Sequence, residues 1–224
     1  MLRAVRHGNR LWGGDFAGPH QFLARLPGAV VTVASAKGGE VEAEGGIVFA
    51  RTVALSQVQR CDLICVPGGF PATEAALNPD YLPQVRRLAL GAKYITSVCT
   101  GSLILGAPGL LRGKRAACHW QWRHLLTEFG AIPDPARVVR DGNVITGGGV
   151  TAGIDFALTV VAEIAGADFA QALQLSLEYA PAPPFTAGSP DTAPAYILAA
   201  VRARVGPQVE RRVAQVRQAA SALE

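Results

Sequence analysis

The chain has 224 residues and a mass of 23.4 kDa, enough for one substantial core and, at about 150 residues per domain, one domain. Half of its residues are apolar and 17% are charged, below the roughly 25% of average soluble chains, which excludes a disordered polymer and points to a well-buried body. The net charge of +4 comes from scattered arginines and no apolar run approaches the roughly 20 residues of a membrane span, so neither nucleic acid nor membrane is an expected partner, and the cytoplasm is the expected compartment.

Residues 1–14, MLRAVRHGNRLWGG, hold three arginines and little strand character, an atypical start for so apolar a chain. Asp15 comes next in GDFAGP, where local sequence favours a turn or helix-capping aspartate over a proton carrier. AVVTVAS (29–35), DLICVPGG (62–69) and KYITSVC (93–99) are short β-branched runs bounded by turn residues, as expected of parallel strands covered on both faces. EVEAEGGIVFARTVAL (40–55) alternates around Gly45-Gly46 and reads as a hairpin or a pair of edge strands. Leu82, Val85, Leu88 and Leu90 recur at helical spacing before Gly91, giving a βαβ crossover.

After Cys99, TGSLILGAPGLL reads as a short helix stopped by Gly106 and Pro108, RAACHW as a strand and HLLTEFGA as a helix. Asp141-Gly142-Asn143 is a hairpin turn, and the glycines at 147 to 149 feed a long helix. Without GxGxxG or GxxxxGK[ST], that glycine run speaks for tight helix-on-sheet packing rather than a phosphate cradle. DFAQALQLSLEYA reads as a helix capped by Asp168. The proline-rich stretch 181–195 reads as a segment laid across the surface by Phe185, and 196–224 as one or two amphipathic helices broken at Gly206-Pro207. Arg202, Arg204, Arg211 and Arg212 read as a solvated helix face. No internal repeat is present.

Alternating strands and helices predict an α/β fold, a doubly wound, mostly parallel, flavodoxin-like sheet with helices on both faces and its ligand crevice at the carboxyl ends of the strands. Cys99 falls at such an end, where a sharp strand-to-helix turn forms a nucleophile elbow. A helix N-terminus there is expected to lower the thiol pKa. Small Gly101 and Ser102 suit the crowded turn, and Gly68 and Gly69 of VPGG offer unshielded N–H groups to the same crevice. On the residues alone, Cys99 is as well read as core filler as a nucleophile. Cys61, Cys65 and Cys118 read as buried reduced thiols, since no paired CxxC or CxxH supports zinc. No histidine follows Cys99; of His7, His20, His119 and His124, none sits at a clear strand end, and only His119 stays open as a base.

GDFAGP, DLICVPGG, TSVCTGSLILGAPGLLRGKRA, VVRDGNVITGGGVTAGIDFALTVV and LEYAPAPPFTAGSPDTAPA together closely resemble the isonitrile hydratases of the PfpI-like, class I glutamine-amidotransferase-like superfamily, from about residue 15 to 200. That resemblance implies a lyase with Cys99 as nucleophile, Asp15 as general acid and base, and Thr100 as a further catalytic group. Gly68, Gly69 and Gly101 would line the substrate and anion side. It also implies a small isonitrile as substrate, no metal or organic cofactor, and a homodimer of single-domain chains. The alternatives are a protease or deglycase of the same superfamily, or the ligand-sensing domain of a transcription regulator. Such proteases place His after the cysteine, where this chain has Thr100.

Overall fold

The computed structural model describes residues 2–6, as backbone, and 13–223. His7 and the rest of 7–12 lie outside the described residues. The main sheet is built from β1 (Leu2–Arg6), β2 (Val31–Ser35), β3 (Gly39–Glu42), β4 (Val48–Ala54), β5 (Leu63–Val66), β6 (Tyr94–Val98), β9 (Val138–Asp141) and β10 (Val144–Gly147). A separate two-stranded sheet pairs β7 (Arg115–Ala116) with β8 (Ile132–Pro133). The eight strands of the main sheet lie in the order β3-β4-β2-β1-β5-β6-β10-β9. The six central strands run parallel, while β3 against β4 and β9 against β10 are antiparallel. Each antiparallel strand returns through a short turn, so both edges are closed by hairpins at the places where the sequence carries Gly45-Gly46 and Asp141-Gly142-Asn143.

The start of the chain departs from expectation. Leu2–Arg6, with its arginines, is a central strand, registered Leu2 to Val31 on one side and Leu2 to Leu63 on the other. Pairing along both edges supplies hydrogen bonds that local strand preference does not foretell, which is why propensity misses it.

Helices cover both faces because the strands alternate. In β5, Ile64 and Val66 enter one apolar cluster and Leu63 and Cys65 the other. The first cluster is roofed by α2 (Ala72–Ala75), α3 (Leu82–Leu90), α4 (Gly101–Gly106) and α7 (Ala195–Ser221). The second is roofed by α1 (Gly13–Leu23), α5 (Ala152–Ala165) and α6 (Ala167–Ser176), through Phe22, Leu23, Phe156 and Val160.

Four further expectations are corrected. RAACHW gives only the two-residue β7, paired in parallel with β8 outside the main sheet. The helix expected at HLLTEFGA is present, in 3-10 form over Arg123–Phe129. Asp168 sits inside the first turn of α6 and caps nothing; Gly166 is the residue that ends α5 and opens α6. Gly206-Pro207 does not break the C-terminal segment: α7 is one helix of 27 residues with Pro207 inside it, since packing of its apolar stripe outweighs one missing backbone donor. Phe185 is 79% exposed, so the proline-rich segment is not pinned to its own chain by that ring. Among the described residues no helix is long and apolar enough to cross a membrane.

The glycines that end and follow β10 serve close packing, as expected. A Cβ at Gly147 would come within 3.1 Å of Phe156, and one at Gly149 within 3.0 Å of His119. The tightest approach is Gly101, where a Cβ would stand 2.0 Å from the Val66 carbonyl oxygen. Gly101→Ala should therefore push α4 off β5 and cost about 3 kcal/mol, the upper range for overpacking. An unchanged urea midpoint would show that the contact yields freely.

Candidate active site

Cys99 lies between the last residue of β6 and Thr100, which opens α4. Its φ of 60° is a left-handed conformation that costs a non-glycine residue on the order of 1 kcal/mol or more. The turn is held by its own backbone: the Cys99 N–H is shared between the carbonyls of Gly148 (2.8 Å) and Gly147 (3.1 Å) at the end of β10. Beneath it Ser97 Oγ and Ser102 Oγ are 2.8 Å apart, and the Ser102 hydroxyl donates to the Ala117 carbonyl at 2.6 Å. The Ala117 N–H donates to Thr146 Oγ1 at 2.7 Å. This buried chain of bonds fastens the segment carrying Cys118 and His119 to the elbow.

Asp15 comes from the first turn of α1 and is fully buried. Its carboxylate faces Cys99 and Gly68. Burial raises its pKa to about 7; the smaller pulls of the Cys99 thiol and the Gly68 N–H in the opposite sense do not offset it. Neither oxygen has a partner of full hydrogen-bond geometry among the described residues. Gly68 is the spacer: a Cβ there would lie 2.6 Å from Thr100 Oγ1 and 3.0 Å from Asp15 Oδ2, so any side chain would part the two. The Thr100 hydroxyl accepts from the Gly69 N–H at 3.0 Å and donates to the Gly69 carbonyl at 3.1 Å, locking elbow and turn together. The Gly68 and Gly69 amides are thus directed at Asp15 and Thr100.

The thiol departs from the sequence expectation. Burial, then the negative charge of Asp15 and that of Cys118, push the Cys99 pKa well above its usual value, against the favourable Thr100 N–H. The six residues of α4 do not overcome this. At neutral pH the sulfur is protonated, and the titrating group beside it is the carboxyl.

Sequence reading missed Arg212. It is not part of a solvated face: it is 7% exposed, and its guanidinium lies 4.4 Å from the Trp122 ring centre and 5.1 Å from that of Phe70. Its Nη2 donates to the Phe70 carbonyl at 3.1 Å. Burial lowers its pKa, while Cys99 and Glu74 act to raise it. The signal was present, since Val205, Val209, Arg212, Val216 and Ala219 follow one helical stripe. A charge on an apolar stripe marks a buried cation. Arg211, by contrast, is exposed and pairs with Glu74.

His119 borders the cavity in front of Cys99, together with Thr100, Trp122 and Arg212. Its Nδ1 accepts from the Gln121 N–H at 3.3 Å, which leaves the ring proton on Nε2. Burial and then Arg212 push its pKa down to about 4, so it is neutral at pH 7 and lacks the basicity to take a thiol proton. Cys61, Cys65, Cys99 and Cys118 are all buried, and none of the four is in a disulfide. His20 stacks on Phe16 at 5.4 Å.

A doubly wound sheet with a strained cysteine at a strand-to-helix elbow, and a buried carboxyl against its sulfur, defines a class of α/β proteins built around that turn. The chain belongs to the DJ-1/PfpI family, whose pattern it matches over residues 13–163. It is 47% identical to an isonitrile hydratase of Pseudomonas putida across 93% of this chain and 92% of that one. A solved THiJ/PfpI family protein from Pseudomonas syringae superposes with a TM-score of 0.91 at 39% identity, covering 98% of this chain and 90% of that one. An HTH-type transcriptional regulator of Pseudomonas aeruginosa is 31% identical over 62% of this chain, which spans 41% of the regulator.

Holding a buried carboxyl near 7 instead of the 3.8 of an exposed one makes stability depend on pH. Below about pH 4 folded and unfolded chains are both protonated at Asp15; above that the unfolded chain ionises first, and the native state loses ground until the folded pKa is passed. Relative to Asp15→Asn, the parent should lose on the order of 4 kcal/mol between pH 4 and pH 8. Parallel urea titrations at the two pH values read this difference, and a constant gap would place the carboxyl in contact with water.

Proposed function

We propose that this chain hydrates isonitriles, R–N≡C, to N-substituted formamides. Cys99 acts as nucleophile, Asp15 as the proton carrier, and Thr100 as the residue that fixes the elbow against the Gly68–Gly69 turn. The observation that carries this reading is the buried pair of Asp15 and Cys99, a carboxyl held at about 7 facing a thiol that is neutral at rest. The extent of the identity to an isonitrile hydratase supports it.

The working form of the pair holds one proton, on sulfur, with Asp15 ionised. Asp15 takes the thiol proton and delivers it to the terminal carbon of the isonitrile as sulfur bonds to that same carbon. The product is a thioimidate, R–N=CH–S–Cys99, and Asp15 is again a carboxylate. It then removes a proton from water, whose oxygen adds to the carbon. The C=N electron pair moves to nitrogen, which receives that proton, giving R–NH–CH(OH)–S–Cys99. Loss of the hydroxyl proton to sulfur by way of Asp15, with cleavage of the C–S bond, releases R–NH–CHO and restores the thiol. The overall change is addition of one water. Gly69 borders the cavity in front of Cys99, while Gly68 lets Asp15 and Thr100 draw together and Gly101 lets α4 close on β5.

The test is formation of N-cyclohexylformamide from cyclohexyl isocyanide by the parent protein, with Cys99→Ala and Asp15→Asn both reduced by at least a thousandfold. Turnover in Asp15→Asn close to the parent's would remove Asp15 from the chemistry. Because the free protein must hold Asp15 ionised, kcat/KM should fall tenfold per pH unit below about pH 7 and level off above it. A profile flat from pH 5 to 8 would contradict the one-proton scheme.

The proposal extends to assembly and location: a single domain along the whole chain, paired as a twofold homodimer in the cytoplasm. Val216 and Ala219 of α7 share a core cluster with the sheet, which supports one domain. Leu175, Phe185 and Tyr196 are 81%, 79% and 74% exposed, individual apolar side chains on the C-terminal part that a second copy would cover. Light scattering at micromolar concentration should give twice the chain mass; a 23.4 kDa particle would rule the pairing out.

A further inference from the structure

The space in front of the thiol is divided in two. The inner cavity, about 60 Å³, touches Cys99, Thr100 and His119. The outer groove, about 790 Å³, runs between the β3–β4 hairpin, α2 and α7, past Glu42, Thr73, Gln208 and Gln215. Phe70 and Arg212 border both spaces and so form the wall between them. An inner space on the scale of two water molecules accepts a linear N≡C head group and excludes a six-carbon ring.

The two halves of the wall differ in exposure. Arg212 is clamped by its bond to the Phe70 carbonyl and by stacking on Trp122, whereas the Phe70 side of the wall is 38% exposed. Arg212 also comes from α7, outside the 13–163 segment that matches the family. The wall therefore joins a residue of that segment, Phe70, to one contributed from beyond it.

Resting on the isonitrile reading above, we infer that Phe70 and Arg212 determine substrate specificity: the head group enters the inner cavity, and the substituent R lies across the wall in the outer groove. The groove is edged by glutamates, glutamines and Thr73, so it suits an extended substituent with hydrogen-bonding atoms better than a compact hydrocarbon. The partition explains how a cavity of about 60 Å³ serves a substrate larger than itself.

The test compares kcat/KM for an isocyanoacetamide bearing an N-butyl tail with that for methyl isocyanide, in the parent, Phe70→Ala and Gln208→Trp. Opening the wall in Phe70→Ala should raise the long-to-short ratio at least threefold, and filling the groove in Gln208→Trp should lower it at least tenfold. The same comparison is made without turnover, from the rates at which iodoacetamide and its N-butyl analogue alkylate Cys99, followed by peptide mass. Ratios within twofold of the parent in both variants would overturn the inference. A parent that forms no formamide yet shows the expected alkylation ratios would sink the isonitrile reading and leave the wall standing.

Discussion

A carboxyl group sealed from water against a thiol is the arrangement on which the rest of the site depends. Desolvation decides the protonation state of both groups, and it does so in the same direction: each is driven toward its neutral form. They do not end up alike, because the carboxyl starts so much lower. At neutral pH the carboxyl is the group within reach of titration and the sulfur keeps its proton. In the proposed reaction this turns the pair into a device for moving one proton between sulfur, carboxylate and substrate carbon, with neither neighbouring histidine nor helix end needed to generate a free anion.

The fold delivers this arrangement through close backbone approach. Asp15 arrives on α1 and Cys99 on the β6–α4 turn, and what lets them meet is the absence of side chains at Gly68 and Gly101. The Thr100 hydroxyl, engaged twice with Gly69, fixes the distance between elbow and turn. The Ser97–Ser102–Ala117–Thr146 chain fixes the elbow's other side. Each of these links is a buried polar group satisfied by another, so loss of one partner strands the next.

Much of this was legible in the amino-acid sequence. The parallel strands, the hairpins at Gly45-Gly46 and Asp141-Gly142-Asn143, and the elbow at Cys99 all follow from apolar runs ending in turn residues. What was not legible depends on partners remote along the chain. Leu2–Arg6 becomes a central strand because two neighbours pair with it, and no local propensity records that. Pro207 stays within α7 because the stripe on either side is buried. The direction of the thiol's pKa was misjudged because a sequence displays the helix that comes after Cys99 but conceals how deeply the sulfur lies. Arg212 was grouped with exposed arginines close to it in sequence, although its spacing from Val205, Val209 and Val216 places it on the inward face.

The left-handed backbone of Cys99 has a consequence for how such a protein persists. A residue with φ of 60° is one that glycine would occupy with less strain, and a buried carboxyl is one that an apolar residue would replace to thermodynamic advantage. Random drift, left without selection on activity, would therefore erode these two positions first and leave behind sturdier, inert descendants of the same shape.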